Sequence, residues 1–135
     1  MGFFQRIFGR KLHTKLAAGR GWTIDAVGEL NYQQSLQTLY QSLGGTDHDV
    51  KTTAILVPEQ NNQFDSNAVR VEISRRTVGY LSKGMATEYR AAVGTASGSC
   101  GAKIVGGFLK DDGTTAYFGV KLNVSWPPRA KDSSK

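Results

Sequence analysis

The chain has 135 residues, a mass of 14.7 kDa, and 39% hydrophobic and 21% charged residues, which is the size and composition of one folded domain. One cysteine, Cys100, excludes an internal disulfide, and with two histidines it leaves too few soft ligands for a structural zinc site. No apolar run approaches the roughly 20 residues of a membrane span, and no secretory signal pattern is present, so we expect a cytoplasmic protein.

The net charge of +6 is distributed unevenly along the chain. Residues 1–24 carry five basic residues and no acid, residues 25–66 carry six acids and one lysine, and residues 67–110 carry seven bases and two acids. Two basic blocks that flank an acidic one favour contact with a polyanion, either nucleic acid or an anionic membrane surface. A basic face that only keeps the protein in solution accounts for this charge equally well.

The N-terminal segment combines a heavy apolar load with basic charge. Arginine and lysine lie between apolar residues at helical spacing, which predicts a basic amphipathic helix within residues 1–20. We expect this helix to pack on the domain or on a partner protein, and insertion into a membrane is the less favoured alternative. Its apolar face consists of Phe3, Phe4, Ile7, Phe8, Leu12 and Leu16.

A β-rich domain is predicted over residues 21–126, because alternating and β-branched segments recur there between turn signals. From Pro127 onward, proline followed by charge and serine predicts a disordered tail. The predicted fold class is mainly β with short helices, as a small, partly closed, six-stranded barrel of the OB-like or SH3-like kind. Strands are predicted at 22–31, 50–57, 68–73, 77–81, 102–109 and 114–124, helices at 36–43 and 83–93, turns at 75–76 and 111–113, and a Gly/Ser-rich connector at 94–101.

The residue patterns that catalysis requires are missing from this sequence. It has no phosphate-binding G-x-x-x-x-G-K-[ST] loop, no G-x-S-x-G nucleophile elbow and no H-E-x-x-H pair. Cys100 has no evident activating partner, which favours a structural cysteine, and His13 and His48 have no companion ligand. A hairpin turn explains the pair Asp111-Asp112. We therefore predict a binding module that is not an enzyme and that uses no metal or cofactor.

The most informative segment is residues 54–81, which read AILVPEQNNQFDSNAVRVEISRRTVGYL. A strand ends in V-P-E, the loop N-N-Q-F-D-S-N-A follows, and the segments V-R-V and V-G-Y-L come after it. This order resembles the HIRAN domain, which shows E-x-x-N-x-(aromatic)-D-x-N-A-(V/I)-x-V and then (I/V)-G-(Y/H)-(V/L) before a helix. The segment A-V-G-E-L-N-Y, which ends at Tyr32, is similar to the opening strand of that family. The resemblance spans about residues 22–124.

The resemblance implies an OB-like barrel that binds single-stranded DNA. HIRAN domains of helicase-like transcription factors hold a DNA 3′ end by stacking bases on aromatic rings and by accepting a hydrogen bond from the 3′-hydroxyl on a carboxylate. Carried over to this sequence, Phe64 would stack on a base, Asp65 would accept the 3′-hydroxyl, and Tyr80 would stand beside the pocket. Asn31 and Tyr32 would line the pocket from the edge of the first strand.

Three further residues are candidates for DNA contact. Asn67 would either hold the loop or touch the DNA, and Arg70 and Lys83 are near enough in sequence to follow the phosphate backbone. In the eukaryotic HIRAN proteins Arg-Tyr stands where this chain has Leu30-Asn31, so one basic phosphate contact and one aromatic ring are missing here.

Structural roles compete with each of these assignments. Asp65 and Asn67 could make Asx turns that order a long loop, and Phe64 could be a plug of the core. Two other functions also remain open. One is a protein-interaction or membrane-peripheral adaptor. The other is a targeting subunit whose partner supplies helicase or nuclease activity.

Overall fold

The computed structural model describes residues 13–46 and 48–131. In these ranges the fold is mainly β with two short α-helices, and no helix has the length and hydrophobicity needed to cross a membrane. The elements in chain order are β1 (Thr14–Lys15), β2 (Ile24–Asp25), a 3₁₀ helix (Glu29–Tyr32), α1 (Gln33–Ser42), β3 (Val50–Pro58), β4 (Val69–Ile73), β5 (Arg76–Tyr80), α2 (Lys83–Val93), β6 (Gly98–Val105) and β7 (Gly119–Asn123).

Strands β2 to β7 form one curled antiparallel sheet in the order β2-β7-β6-β3-β4-β5, and β1 pairs in parallel with β6. Just beyond β2, the backbone of Val27 exchanges two hydrogen bonds with Tyr80 at the end of β5, with N···O distances of 2.8 and 2.9 Å. This bridge brings the two edges of the sheet together. The structure therefore confirms the predicted small, partly closed, OB-like barrel.

Closure of the barrel depends on a close approach at Gly79. A Cβ atom at this position would lie 2.9 Å from the carbonyl oxygen of Val27 and 3.3 Å from the Cβ of Ala26. The register between β4 and β5 also shifts after Val71, which leaves Val78 as an extra, fully buried residue on β5. Such a bulge bends its strand, and here it occurs where β5 meets the chain that follows β2.

The hydrophobic core combines the inner face of the sheet with residues from both helices. Alternate residues of β3 and β6 point inward, so that Leu56 and Ile104 are fully buried. Leu36 of α1 and Tyr89 of α2 are also fully buried, and the Tyr89 hydroxyl donates a hydrogen bond of 2.9 Å to the carbonyl of Ala96. Burial of each large apolar side chain contributes on the order of 1.5–3 kcal/mol, so this cluster is the main source of stability.

Helix α2 begins and ends at local signals, whereas α1 has no side-chain cap at its start. Helix α2 has the predicted bounds because the Ser82 hydroxyl accepts a hydrogen bond from the Met85 N–H at 3.3 Å, and Gly94 follows the last turn with a φ of 76°. Helix α1 was predicted from Leu36 but begins at Gln33, because the 3₁₀ helix runs directly into it.

The predicted strand over 22–31 is wrong beyond its first half. Regular pairing ends at Asp25, Gly28 turns the chain with a φ of 77°, and the 3₁₀ helix follows. The cause is long-range pairing: the Gln33 side chain accepts from the Phe118 N–H and donates to the Phe118 carbonyl, both at 2.8 Å. Glu29 also accepts from the Val120 N–H at 3.2 Å. Asn31 and Tyr32 therefore lie in a helical turn and not on a strand edge.

The strands of the C-terminal half are shifted from their predicted positions. The expected Gly/Ser connector belongs in part to β6, which begins at Gly98 and ends at Val105, because β3 pairs with it from Val50↔Ile104 to Leu56↔Gly98. The last strand is confined to β7. The turn at 111–113 is present, with the Lys110 N–H donating to the Thr114 carbonyl at 2.7 Å, but an isolated bridge and not a regular strand pair flanks it.

The terminal segments also differ from their predictions. Residues 1–12 of the predicted helix lie outside the described residues, and residues 13–20 are not helical, since β1 pairs with β6 and Leu16 is buried in a bridge with Ala130. The tail was predicted to be disordered from Pro127, but the Lys131 N–H donates to the Lys15 carbonyl at 2.8 Å. Residues 127–131 are therefore ordered against the N-terminal segment, and residues 132–135 lie outside the described ranges.

Candidate nucleic-acid interface

The loop between β3 and β4 is closed at its base by backbone and side-chain hydrogen bonds. The Glu59 N–H donates to the Ala68 carbonyl at 2.9 Å. Arg90 of α2 donates through one guanidinium nitrogen to the carbonyls of Glu59 and Ala68, at 2.5 and 3.1 Å. Because both ends of the loop are attached to the same arginine, residues 60–67 project as a defined unit.

Asn62 shapes the tip of this loop. Its side-chain oxygen accepts hydrogen bonds from the N–H groups of Phe64 at 2.8 Å and Asp65 at 3.1 Å. The resulting turn leaves the Phe64 side chain 86% exposed, so Phe64 is not a plug of the core. Phe64 is the most exposed large hydrophobic residue in the described ranges, so its ring is available to contact a ligand or partner.

Asp65 has the structural role that competed with DNA binding in the sequence analysis, because its side chain makes an Asx turn that orders the loop. Its Oδ1 accepts a hydrogen bond from the Asn67 N–H at 2.9 Å, which is an Asx turn. Its Oδ2 makes no hydrogen bond within the described part of the chain. One carboxylate oxygen therefore organises the loop, and the other can still accept a hydrogen bond from a ligand.

An open groove of about 380 Å³ lies beside the loop tip. The structure brings together four of the predicted site residues in it, from two segments of the chain, residues 64–65 and residues 80–83. Val27, which is 43% exposed, also lines the groove and was not predicted from the sequence. The lining consists of Val27, Asn62, Phe64, Asp65, Ala68, Tyr80, Leu81 and Lys83.

Tyr80 lines one wall of the groove at the end of β5. Its hydroxyl donates a hydrogen bond of 2.9 Å to Oε2 of Glu59. Burial and the carboxylate of Glu59 raise the pKa of Tyr80, and the neighbouring phenol of Tyr32 adds to the effect. Tyr80 therefore remains neutral at physiological pH. Tyr32 lies near Tyr80 on the 3₁₀ helix but does not line the groove, and neither does Asn31, which is exposed.

The basic candidates differ in their surroundings. Arg70 is bound by Glu72 at 2.6 Å and by Glu59 at 3.4 Å. Burial lowers the pKa of Arg70, but these two carboxylates outweigh burial and raise it overall. Their charges offset that of Arg70, so it is poorly placed to bind phosphate. Lys83 is exposed at the groove and has no ion pair among the described residues.

Asn67 does not line the groove either. Its side chain is exposed, and its backbone N–H is the donor of the Asx turn. The sequence interpretation missed the roles of Glu59 and Arg90. Glu59 and Asn62 are the first two polar positions of the E-x-x-N pattern, and this spacing was the available signal. Arg90 carried no signal, because its contacts lie 22 and 31 residues away along the chain.

The remaining chemically active side chains lie apart from the groove. Cys100 is buried in β6, and burial raises the pKa of its thiol to about 12. His13 contacts the Ser97 hydroxyl at 2.6 Å, and His48 contacts the Thr46 carbonyl at 2.7 Å. Among residues 13–46 and 48–131, no three His, Cys, Asp or Glu side chains are grouped so that they could hold a metal ion.

Comparisons of this chain with protein-family models, with curated proteins and with solved structures found no significant match. Function is therefore inferred from the chemistry of the groove and from the motif in the sequence.

Proposed function

We propose that this protein is a non-catalytic module that binds single-stranded DNA in the groove beside residues 60–67 and holds its 3′-hydroxyl end. The observation that carries the proposal is the 86% exposed ring of Phe64 next to a carboxylate, a tyrosine and an unpaired lysine in one groove. This combination matches the chemistry of a nucleotide, which offers an aromatic base, sugar hydroxyls and a phosphate.

Each side chain has a separate role in the proposed complex. Stacking of a base on Phe64 contributes roughly 1–3 kcal/mol and tolerates any base. Lys83 attracts the phosphate backbone. The second oxygen of Asp65 accepts the terminal hydroxyl and repels a terminal phosphate, which makes the groove selective for an unmodified 3′ end.

The proposal also covers the partner protein, the cellular location and the cofactor requirement. The groove presents an aromatic ring, a carboxylate, a phenol and an ammonium group for binding, and we propose that a helicase or nuclease partner supplies any reaction. We further propose a cytoplasmic protein that functions without a cofactor, on the basis of its unpaired cysteine and its composition.

A crossed titration tests the proposal. Fluorescence anisotropy would compare wild type, Asp65→Asn and Phe64→Ala, each with a single strand that ends in a 3′-hydroxyl or a 3′-phosphate. We expect Phe64→Ala to weaken both strands alike, and Asp65→Asn to lose the preference for the hydroxyl. Asparagine keeps the oxygen that makes the Asx turn, so the loop is preserved. Phe108→Ala is the matched control, because Phe108 is 53% exposed but does not line the groove.

An adaptor role is the second candidate, and a separate surface favours it. The segment between β6 and β7 exposes Phe108, Leu109 and Tyr117 by 53%, 74% and 71%. Contiguous exposed apolar residues are typical of protein-binding surfaces. If wild type binds no single strand even at low salt, the adaptor role replaces the DNA role.

A further inference from the structure

We propose that Glu59, which does not line the groove, is the positioning residue that sets both of its polar walls and thereby its selectivity for a ligand with a hydrogen-bond donor. This inference rests on the proposed function. The Glu59 carboxylate accepts from Nδ2 of Asn62 at 2.9 Å and from the Tyr80 hydroxyl at 2.9 Å. Asn62 belongs to the loop and Tyr80 to β5, so one carboxylate connects two segments that both line the groove.

The first connection determines the orientation of the Asn62 amide. Because Nδ2 donates to Glu59, Oδ1 is directed to the N–H groups of Phe64 and Asp65. A reversed amide would place its own N–H groups against these two donors and would turn its oxygen toward a carboxylate. Glu59 therefore maintains the loop conformation that presents the Phe64 ring and the Asp65 carboxylate.

The second connection determines the hydrogen-bonding character of Tyr80. A phenol has one proton to donate, and that of Tyr80 is given to Glu59. Toward a ligand, the Tyr80 oxygen can then act as an acceptor, like the second oxygen of Asp65. Two acceptors in one groove favour a sugar hydroxyl or a base amino group and disfavour a terminal phosphate, which has acceptor oxygens and negative charge of its own.

Arg70 completes the arrangement by holding Glu59 in its charged form. Its guanidinium lies 3.4 Å from Oε2 of Glu59 and 2.6 Å from Oε2 of Glu72. Glu72 shares this arginine but makes no hydrogen bond to Asn62 or Tyr80 among the described residues. It therefore provides a matched carboxylate that touches the same arginine and neither wall of the groove.

The test compares Glu59→Gln with Glu72→Gln. Asn62 donates to Oε1 of Glu59 and Tyr80 donates to Oε2. A glutamine at position 59 has an oxygen at only one of these two places and an NH₂ group at the other, so one of the two donors loses its acceptor. Hydrogen exchange measured by NMR reports the loop without DNA, and we expect the Phe64 and Asp65 amides to exchange faster in Glu59→Gln. Anisotropy reports selectivity, and we expect the preference for a 3′-hydroxyl over a 3′-phosphate strand to fall by about fivefold or more. Glu72→Gln should match wild type in both measurements.

The outcomes separate this inference from the proposed function. If wild type prefers the 3′-hydroxyl strand but Glu59→Gln leaves the exchange and the preference unchanged, the role of Glu59 is overturned and the proposed function stands. If wild type binds neither strand, both are overturned. Should Glu59→Gln fail to fold, Tyr80→Phe and Asn62→Ala test the two walls separately. Tyr80→Phe must then reduce the preference for the 3′-hydroxyl strand while the Phe64 and Asp65 amides remain protected from exchange. Asn62→Ala must make those two amides exchange faster. If either result is not obtained, the inference fails.

Discussion

At the scale of single residues, the ionisation of Glu59 makes the stability of the fold depend on pH. Burial by itself would raise the pKa of Glu59, but hydrogen bonds from Asn62, Tyr80 and Arg70 outweigh burial, and its pKa lies below the ordinary 4.5. Because the folded pKa is lower than the unfolded one, the stabilisation is fully present above the unfolded pKa. It is lost as the pH falls through the folded pKa.

We therefore expect the free energy of unfolding to decline on acidification below about pH 4.5, and to decline less steeply in Glu59→Gln. Urea denaturation followed by circular dichroism at a series of pH values measures both slopes. Hydrogen bonds from Thr114 also lower the pKa of Asp112, so Asp112→Asn is the control for the contribution of an exposed turn. Identical slopes for wild type and Glu59→Gln would contradict the prediction.

Cys100 provides a second prediction at this scale. Burial in β6 raises the pKa of its thiol to about 12, so the reactive thiolate is scarce in the folded chain at mildly alkaline pH. We expect a thiol-labelling reagent to modify Cys100 at the rate at which the barrel opens, and urea to accelerate the reaction. Rapid and complete labelling of the folded protein in the absence of urea would show that the thiol is accessible.

At the scale of elements, the hairpin between β4 and β5 contains unfavourable backbone conformations. Ser74 and Arg75 have φ angles of 49° and 68°, a left-handed pair that two-residue hairpins adopt. The turn was predicted one residue later, at Arg75-Arg76, and Arg76 is instead the first residue of β5. Neither serine nor arginine suits this conformation, which Asn-Gly favours.

The double variant Ser74→Asn/Arg75→Gly should raise the free energy of unfolding by about 1 kcal/mol, because it removes this strain. Arg76→Gly is the matched control: it lies in a strand without a positive φ and should lower stability by about 0.5–1 kcal/mol. Urea midpoints compare the three proteins. A double variant no more stable than wild type would show that the turn is not strained.

At the scale of the whole molecule, closure of the barrel depends on the space at Gly79. A Cβ there would meet the Val27 carbonyl oxygen at 2.9 Å, so Gly79→Ala should destabilise the fold by about 1–3 kcal/mol. It should also weaken the proposed binding of DNA, since Val27 and Tyr80 line the groove. Gly84→Ala is the control, because Gly84 lies in α2 with open space where a Cβ would stand, and this change should gain up to about 1 kcal/mol. Thermal denaturation distinguishes them, and equal melting temperatures would contradict the closure argument.

Salt dependence is the other property of the molecule as a whole. If the proposed DNA binding uses two phosphate contacts, the lower limit expected because Arg70 is occupied by Glu59 and Glu72, the slope of log K against log salt should be about −1.4. Lys83→Gln should reduce the magnitude of that slope by about 0.7. Lys51→Gln is the control, since Lys51 is exposed at the opposite end of β3 from the loop. Binding that does not change with salt would argue against a nucleic-acid role.

The sequence by itself determined the features that depend on neighbouring residues. Alternating and β-branched segments predicted β3, β4 and β5, and the helix predicted at 83–93 has the bounds that α2 shows in the structure. Of the eight site residues predicted, the groove contains Phe64, Asp65 and Tyr80 from the pattern at 59–81 and Lys83, which was chosen for its nearness in sequence. The other four, Asn31, Tyr32, Asn67 and Arg70, do not line it. The strand and helix predictions agree with the structure because hydrophobic periodicity and β-branched runs act over a few neighbouring residues.

Only the tertiary structure decided the features that depend on distant partners. Gln33 pairs with Phe118, 85 residues away, and this turns Asn31 and Tyr32 out of a strand. The N-terminal boundary of β6 is set by its pairing with β3. The charge of Arg70 is offset by Glu59, which lies 11 residues earlier in the chain, directly after the end of β3. Such contacts exist once the sheet has curled and brought its edges together, and no local pattern in the chain encodes which residues will then meet.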